Sequence, residues 1–186
     1  MIYIIEHLEP KLWNWCKVEY KNISQTVGKD NLWFTNIKDG GKFLEKFGKV
    51  FSASVKEMNL KNVCILDPDS KETLTTKDTK KFDYLIFGGI LGDYPPKKRT
   101  KKELTKFMEG ETRNIGKKQM ATNNAVYVVH QIALGKKMSD LKFQQNLEIP
   151  TGKFESIILP YKYVLVEGKP LICKETIKYL KNKKEF

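Results

Sequence analysis

Short apolar runs alternate with helical patterns along this chain, the arrangement expected of a parallel β-sheet covered by helices. Tyr3-Ile4-Ile5 begins as a strand. From Glu9 to Val27 the apolar positions Leu12, Trp13, Cys16, Tyr20, Ile23 and Val27 recur at helical spacing, with Gly28 placed to end that helix. Asn31 to Asn36 reads as a second strand, and a short helix is expected around Phe43, Leu44 and Phe47. Val63-Cys64-Ile65-Leu66 is an almost purely apolar run that stops at Asp67-Pro68, and Phe82 to Leu91 is another. Strands buried on both faces have this composition.

Farther on, a helix is expected over Glu103 to Met108 and a strand over Thr112 to Ile115. Thr122 to Leu134 is the clearest helix, since Ala125, Val126, Val129, Ile132 and Ala133 share one face. Thr122 or Asn123 can cap its start and Gly135 can end it. After it the alternation fades. Ile157 to Val166 reads as one or two extended segments turned at Glu167-Gly168, and Lys174 to Lys183 as a closing basic helix. The predicted fold is α/β, a mostly parallel sheet flanked by helices, in a single domain over residues 1–186, because no Gly/Ser/Pro-rich linker divides the chain.

Composition adds a core and a charge. Ten Phe, eight Tyr and three Trp within 40% hydrophobic content supply apolar surface for one core. A net charge of +12 favours an anionic partner such as RNA or a ribosomal surface, and equally describes a Lys-coated soluble protein. Only Arg99 and Arg113 are arginines among 34 basic residues, so these two positions are expected to need the bidentate fork that Lys lacks. Cys16, Cys64 and Cys173 are odd in number and far apart, and His7 and His130 are the only histidines, so neither a disulfide framework nor a metal site is readable. The opening MIYIIEHLEP has no basic leader, and no apolar run approaches the ~18 residues of a membrane span; a reducing, cytoplasmic setting is expected.

Ligands of open α/β sheets bind beyond the carboxyl ends of the strands, which directs attention to Asp67-Pro68, Gly88 to Asp93 and Ile115 to Met120. Gly88-Gly89-Ile90-Leu91-Gly92 is neither a dinucleotide fingerprint nor a phosphate loop. Its glycines suit a backbone that closely approaches a flat, mostly neutral group such as adenosine, or else a tight turn with positive φ. Asp93-Tyr94-Pro95-Pro96 follows, then the basic stretch Lys97 to Lys102, which is either a solvated face or a docking site for RNA phosphates. Lys97, Lys98, Arg99 and Arg113 are the candidates for substrate contacts. His7 and His130 read as packed or surface residues, and nucleophilic-serine, zinc-protease and Cys-His motifs are absent.

Five segments make the chain resemble the SPOUT-type methyltransferases: YIIEHLEP from Tyr3, ILDP from Ile65, FGGILGDYPPKKRT from Phe87, IGKKQMATNNA from Ile115, and LPYKYVL with EGKP near the end. The resemblance is to the subfamily of archaeal and eukaryotic proteins often labelled RNA methyltransferases, whose fungal member methylates an arginine of a small-subunit ribosomal protein. It implies S-adenosyl-L-methionine as cofactor and a carboxyl end threaded into a deep trefoil knot, which generic topology rules would not predict. By it, Leu66 and Asp67 belong to the first cofactor loop. Phe87, Gly88, Gly89, Ile90, Leu91 and Gly92 belong to the second, and Ile115, Gly116, Gln119 and Met120 to the third, which leads into Thr122.

If the acceptor is a protonated guanidinium, carboxylates must hold it and take up a proton, and Glu6, Asp67 and Asp93 stand at predicted strand ends. If it is an RNA atom, one base suffices, with Asp93 preferred. A non-catalytic ribosome- or RNA-binding module is the third reading. The expected partner is a ribosomal protein or a ribosome/RNA substrate, with the chain acting as monomer or homodimer. One departure stands out: the subfamily is expected to read T-D-T-A where this chain has Thr122-Asn123-Asn124-Ala125, which puts a charge-dependent role at Asn123 in doubt.

Overall fold

Side-chain alternation along the central strands divides the core in two. The computed structural model describes residues 1–152 and 154–182. Strands β1 (Ile2–His7), β2 (Leu32–Thr35), β3 (Lys49–Val50), β4 (Val63–Leu66), β5 (Tyr84–Gly89) and β6 (Glu111–Arg113) form one sheet in the order β3-β2-β1-β5-β4-β6. Every pairing in it is parallel. Tyr3, Ile5, Leu66 and Phe87 face helices α1 (Asn14–Val27) and α2 (Thr122–Ala133), where they share a core with Tyr20, Ile23, Val126 and Val129. Ile4, Ile65 and Ile86 point the opposite way, against Val55 and Leu104 on short helical turns. Both faces of the sheet are therefore covered, as the near-continuous apolar runs predict.

Local chemistry shifts several boundaries. Helix α1 starts at Asn14 rather than Glu9, whose carboxylate accepts from the Leu91 N–H at 3.0 Å and from Arg99 Nη1 at 2.6 Å. Trp13 is consequently an exposed residue ahead of the helix. The helix expected around Phe43 to Phe47 is a single 3₁₀ turn, Gly41–Phe43. Glu103 to Met108 is likewise no α-helix; a π turn over Thr100–Leu104 gives way to a 3₁₀ turn over Thr105–Phe107, with Leu104 as the one buried anchor. Strand β6 ends at Arg113, which frees Ile115 for the loop beyond it.

Ala121 holds the cap position of helix α2 and makes no side-chain bond there, while Asn123 Oδ1 accepts from Asn124 N at 2.9 Å within the first turn. The Asn123 amide nitrogen also donates to Asn22 Oδ1 of α1 at 3.2 Å. Asn124, fully buried, donates to Leu171 O and accepts from Val164 N, both at 2.9 Å, so it ties the carboxyl-terminal region to α2. Both asparagines thus serve neutral packing roles.

The faded alternation after α2 conceals a second, antiparallel sheet of β7 (Phe143–Pro150), β8 (Ser156–Val166) and β9 (Lys169–Pro170). Strand β7 carries Gln144, Gln145 and Asn146, and its register shifts between Gln145 and Leu147, with Asn146 at φ 59°. That bulge breaks the period-two signal. Strand β8 is continuous and turns at Glu167 and Gly168, φ 52° and 77°, as expected. Helix α3 (Lys174–Asn182) packs Leu180 with Leu147, Leu159, Tyr163 and, from α1, Trp15; Lys183 lies outside the described residues. Among the described residues no helix is long and apolar enough to cross a membrane.

Candidate active site

The carboxyl ends of β4 and β5 and the loop after β6 converge on a cavity of about 250 Å³. Leu66, Phe87, Ile90, Ile115 and Met120 give it apolar walls, and Gly88 and Gly116 leave backbone bare on it. Its rim is basic, with Lys97, Lys98, Lys117 and Lys118. Two carboxylates within it are engaged: Asp67 accepts from Asp69 N and from Thr105 Oγ1, both at 2.8 Å, and Asp93 lies 3.0 Å from Lys97 Nζ. Asp69 differs. Its Oδ2 pairs with Lys98 Nζ at 3.2 Å but accepts no hydrogen bond, although the atom is buried.

The three expected loops are bound to one another. Thr122 Oγ1 reaches Gly88 O at 3.5 Å. The Gln119 side chain, turned so that its amide nitrogen faces the carbonyl, makes a pair of 3.2 Å bonds to the Asp93 backbone. Gln119 O accepts from Lys162 N of β8 at 2.9 Å, which fastens the third loop to the second sheet.

The glycines of the middle loop have separate tasks, and none of Gly88, Gly89 and Gly92 is at positive φ. Gly88 opens the cavity: a Cβ there would come within 3.0 Å of Ile90 and 3.4 Å of Thr100. Gly89 faces away, where a Cβ would strike the Tyr20 hydroxyl and lie 3.0 Å from Glu6 O. Gly92 is wedged between Gln119 and Tyr161, and its carbonyl accepts from Tyr161 Oη at 2.7 Å.

Four other expected site residues are occupied elsewhere. Glu6 does not line the cavity; it is fully buried and accepts from Thr35 Oγ1 at 2.5 Å, Ser54 Oγ at 2.5 Å and Val55 N at 3.0 Å. Arg113, the last residue of β6, is buried and paired with Glu111 at 2.6 Å, Glu72 at 3.0 Å and Asp78 at 3.1 Å. Arg99 borders the cavity, yet its fork is spent on Glu103, Glu9 and the Leu8 carbonyl. Both arginines do make the multidentate bonds that their rarity implied, with partners inside the protein. Leu91, like Gly89, is turned from the large cavity.

Compared with known proteins, residues 2–185 match the family described as SFM1-like protein arginine N-methyltransferases. The chain belongs to this family. Protein arginine N-methyltransferase SFM1 of Saccharomyces cerevisiae is 35% identical, over 97% of this chain and 94% of its own length. The crystal structure of yeast SFM1 complexed with SAM is similar at a TM-score of 0.88 and 34% identity, covering 97% of this chain and 89% of that one. A dual-specific Trm10 from Thermococcus kodakaraensis shares the fold at a TM-score of 0.56 and 22% identity, covering 75% and 95% of the two chains.

This SFM1-like chain has a second cavity, of about 170 Å³, that sequence reasoning missed. Ile90 and Met120 line both cavities. Leu91, Gly92, Tyr161 and Leu159 continue the smaller one, and α1 contributes Trp15 and Glu19. Glu19 Oε1 accepts from Trp15 Nε1 at 2.7 Å, and the Thr122 N–H at the start of α2 also faces the carboxylate. Burial outweighs these donors and pushes the Glu19 carboxyl up to about 7. The signal available in the sequence is a Glu one position from Tyr20 and four from Trp15, at the edge of an apolar stripe where a charge is costly.

Proposed function

We propose that this chain is an S-adenosylmethionine-dependent protein arginine methyltransferase that acts on a small-subunit ribosomal protein in the cytoplasm. The observation that carries this reading is the convergence of three loops on one apolar-walled cavity with bare backbone at Gly88 and Gly116. Its residues fit the cofactor. Leu66, Phe87, Ile115 and Met120 suit an adenine ring, the buried Asp69 Oδ2, which accepts no hydrogen bond, suits a hydroxyl, and Lys118 supplies positive charge for a carboxylate. The deep trefoil knot implied by the SPOUT resemblance is part of the same proposal, as are the cofactor roles of Ile90 and Gln119.

When bound, S-adenosylmethionine supplies an electrophilic methyl group on a sulfonium. The chain then has to align a nitrogen with it, exclude water, and accept the one proton that leaves the guanidinium. Asp93, on the cavity wall beside Ile90, is the carboxylate placed to take that proton. Asp67 holds the first loop and Thr105 in place, and Glu6 holds β2 and the turn at Val55; both act as scaffold.

The four lysines at the rim favour one second reading, an RNA acceptor. Labelled S-adenosylmethionine offered to the chain with small ribosomal subunits separates the two. The proposal expects label that survives ribonuclease and disappears with protease. Label removed by ribonuclease would establish the RNA reading instead.

A further inference from the structure

We propose that the second cavity receives the acceptor arginine and that Glu19 is the carboxylate that binds its guanidinium. This rests on the methyltransferase reading and adds to it the place and the counter-charge of the acceptor.

The two cavities have opposite chemistry. The large one is lined by Lys97, Lys98, Arg99, Lys117 and Lys118 against Asp67, Asp69 and Asp93, a net positive charge that disfavours a guanidinium. Among the described residues, Glu19 is the one charged side chain on the small one. Around it stand Trp15, Leu91, Leu159 and Leu180, apolar surface that suits the methylenes of an arginine. Glu19 is itself 6% exposed, and its helix start and indole donors are both neutral. Among the described residues, no lysine, arginine or histidine contributes to the Glu19 shift, and the groups that its charge perturbs include Cys16 and Tyr20 of α1, Tyr161 and Tyr163 of β8, and Cys173 ahead of α3. None of these is a cation. A buried carboxylate without a counter-ion is expensive, and a guanidinium supplies two N–H donors and a positive charge together.

Ile90 and Met120 are walls of both cavities, and Thr122, whose N–H faces Glu19, lines the large one. A guanidinium held at Glu19 is therefore one layer of side chains from the cavity assigned to the cofactor. Asp93 follows Gly92, a residue of the small cavity, and itself lines the large one, so the proposed proton acceptor stands at the junction.

Trp15 provides the reporter, because its indole N–H is bonded to the carboxylate in question. The full chain, labelled with nitrogen-15, is titrated with methylguanidinium while the three tryptophan indole signals are followed and Trp15→Phe assigns one of them. The proposal expects a saturable shift of the Trp15 signal, no shift of Trp33, and loss of the response in Glu19→Gln. Ala121→Leu fills the small cavity from the third loop without altering the carboxylate, and should also abolish the response. With acceptor protein, both variants should raise KM at least tenfold while S-adenosylhomocysteine affinity stays within twofold. A carboxylate that merely anchors α2 would give none of this selectivity. A Trp15 signal that stays still, or a response that persists in both variants, overturns the assignment. Calorimetry of S-adenosylhomocysteine on the same samples keeps the two claims apart: failure to bind refutes the methyltransferase reading, whereas binding with a silent Trp15 refutes the arginine pocket alone.

Discussion

The two cavities share Ile90, Met120 and the loops that carry them, but their remaining walls come from different parts of the protein. The larger is a product of the parallel sheet: strand ends, glycine backbone and a lysine rim. The smaller is bounded by α1, the β8 strand and α3, elements that the sheet rule for ligand sites does not consider. One suits a ligand recognised through backbone and apolar contact, the other a cation. Adjacent sites of opposite character let one protein hold two reactants without confusing them, since each is repelled or left unsatisfied in its neighbour's place.

The largest effect should come from filling the large cavity. Gly88→Val places methyl groups against Ile90 and Thr100, both movable side chains, so the fold should persist. Calorimetry should show S-adenosylhomocysteine affinity reduced by about 100-fold, roughly 3 kcal/mol. Unchanged affinity would separate the glycine loop from cofactor binding. Gly89→Ala is the contrasting variant one residue away. Its Cβ meets Tyr20 and the Glu6 backbone, so chemical denaturation should show a loss of about 1–3 kcal/mol, with cofactor affinity of the folded chain unaltered.

The small cavity has a pH signature. Because the Glu19 carboxyl is pushed up from 4.5 to about 7, the folded chain retains a proton that the unfolded chain releases. Stability therefore declines as pH rises between those values, by roughly 1–3 kcal/mol for this group. Glu19→Gln should remove that slope, as read from denaturation midpoints at a series of pH values. An identical slope in the variant would mean the burial of Glu19 is not felt.

Arg99→Lys tests the link between the cavities. The fork joins Glu9 and Glu103, and Glu9 in turn holds the Leu91 N–H. A lysine cannot make all these bonds, so a loss of about 1–2 kcal/mol is expected, with weakened binding at both cavities. Tyr161→Phe should be mildest, since it removes only the bond to Gly92 O, about 1 kcal/mol and a several-fold rise in acceptor KM.

How much of this was legible in the sequence differs between the same two regions. The parallel strands could be read because each is buried on both faces, and burial writes itself as a continuous apolar run. From those strand ends the loops at Asp67, Gly88 and Ile115 followed by rule. Which glycine does what did not follow, because it depends on Tyr20, Gln119 and Tyr161, residues distant in sequence that approach only in the fold. The second region was opaque for a related reason. Strand β7 hides behind a bulge and three polar residues, and Glu19 resembles any surface acid on a helix until Trp15, Leu159 and Leu180 close over it. Arg99 and Arg113 were picked out by the right chemistry, and the acceptors that they hold lie inside the protein, because composition reveals a need for bidentate bonding but not who supplies the acceptor.

The most direct test is a crystal structure of the chain with S-adenosylhomocysteine and an arginine-containing peptide bound together. The account predicts the adenosyl group between Leu66, Phe87 and Ile115, and the guanidinium against Glu19 beyond Ile90 and Met120. A guanidinium lodged among Asp67, Asp69 and Asp93 inside the lysine rim, with the small cavity bypassed, would contradict it.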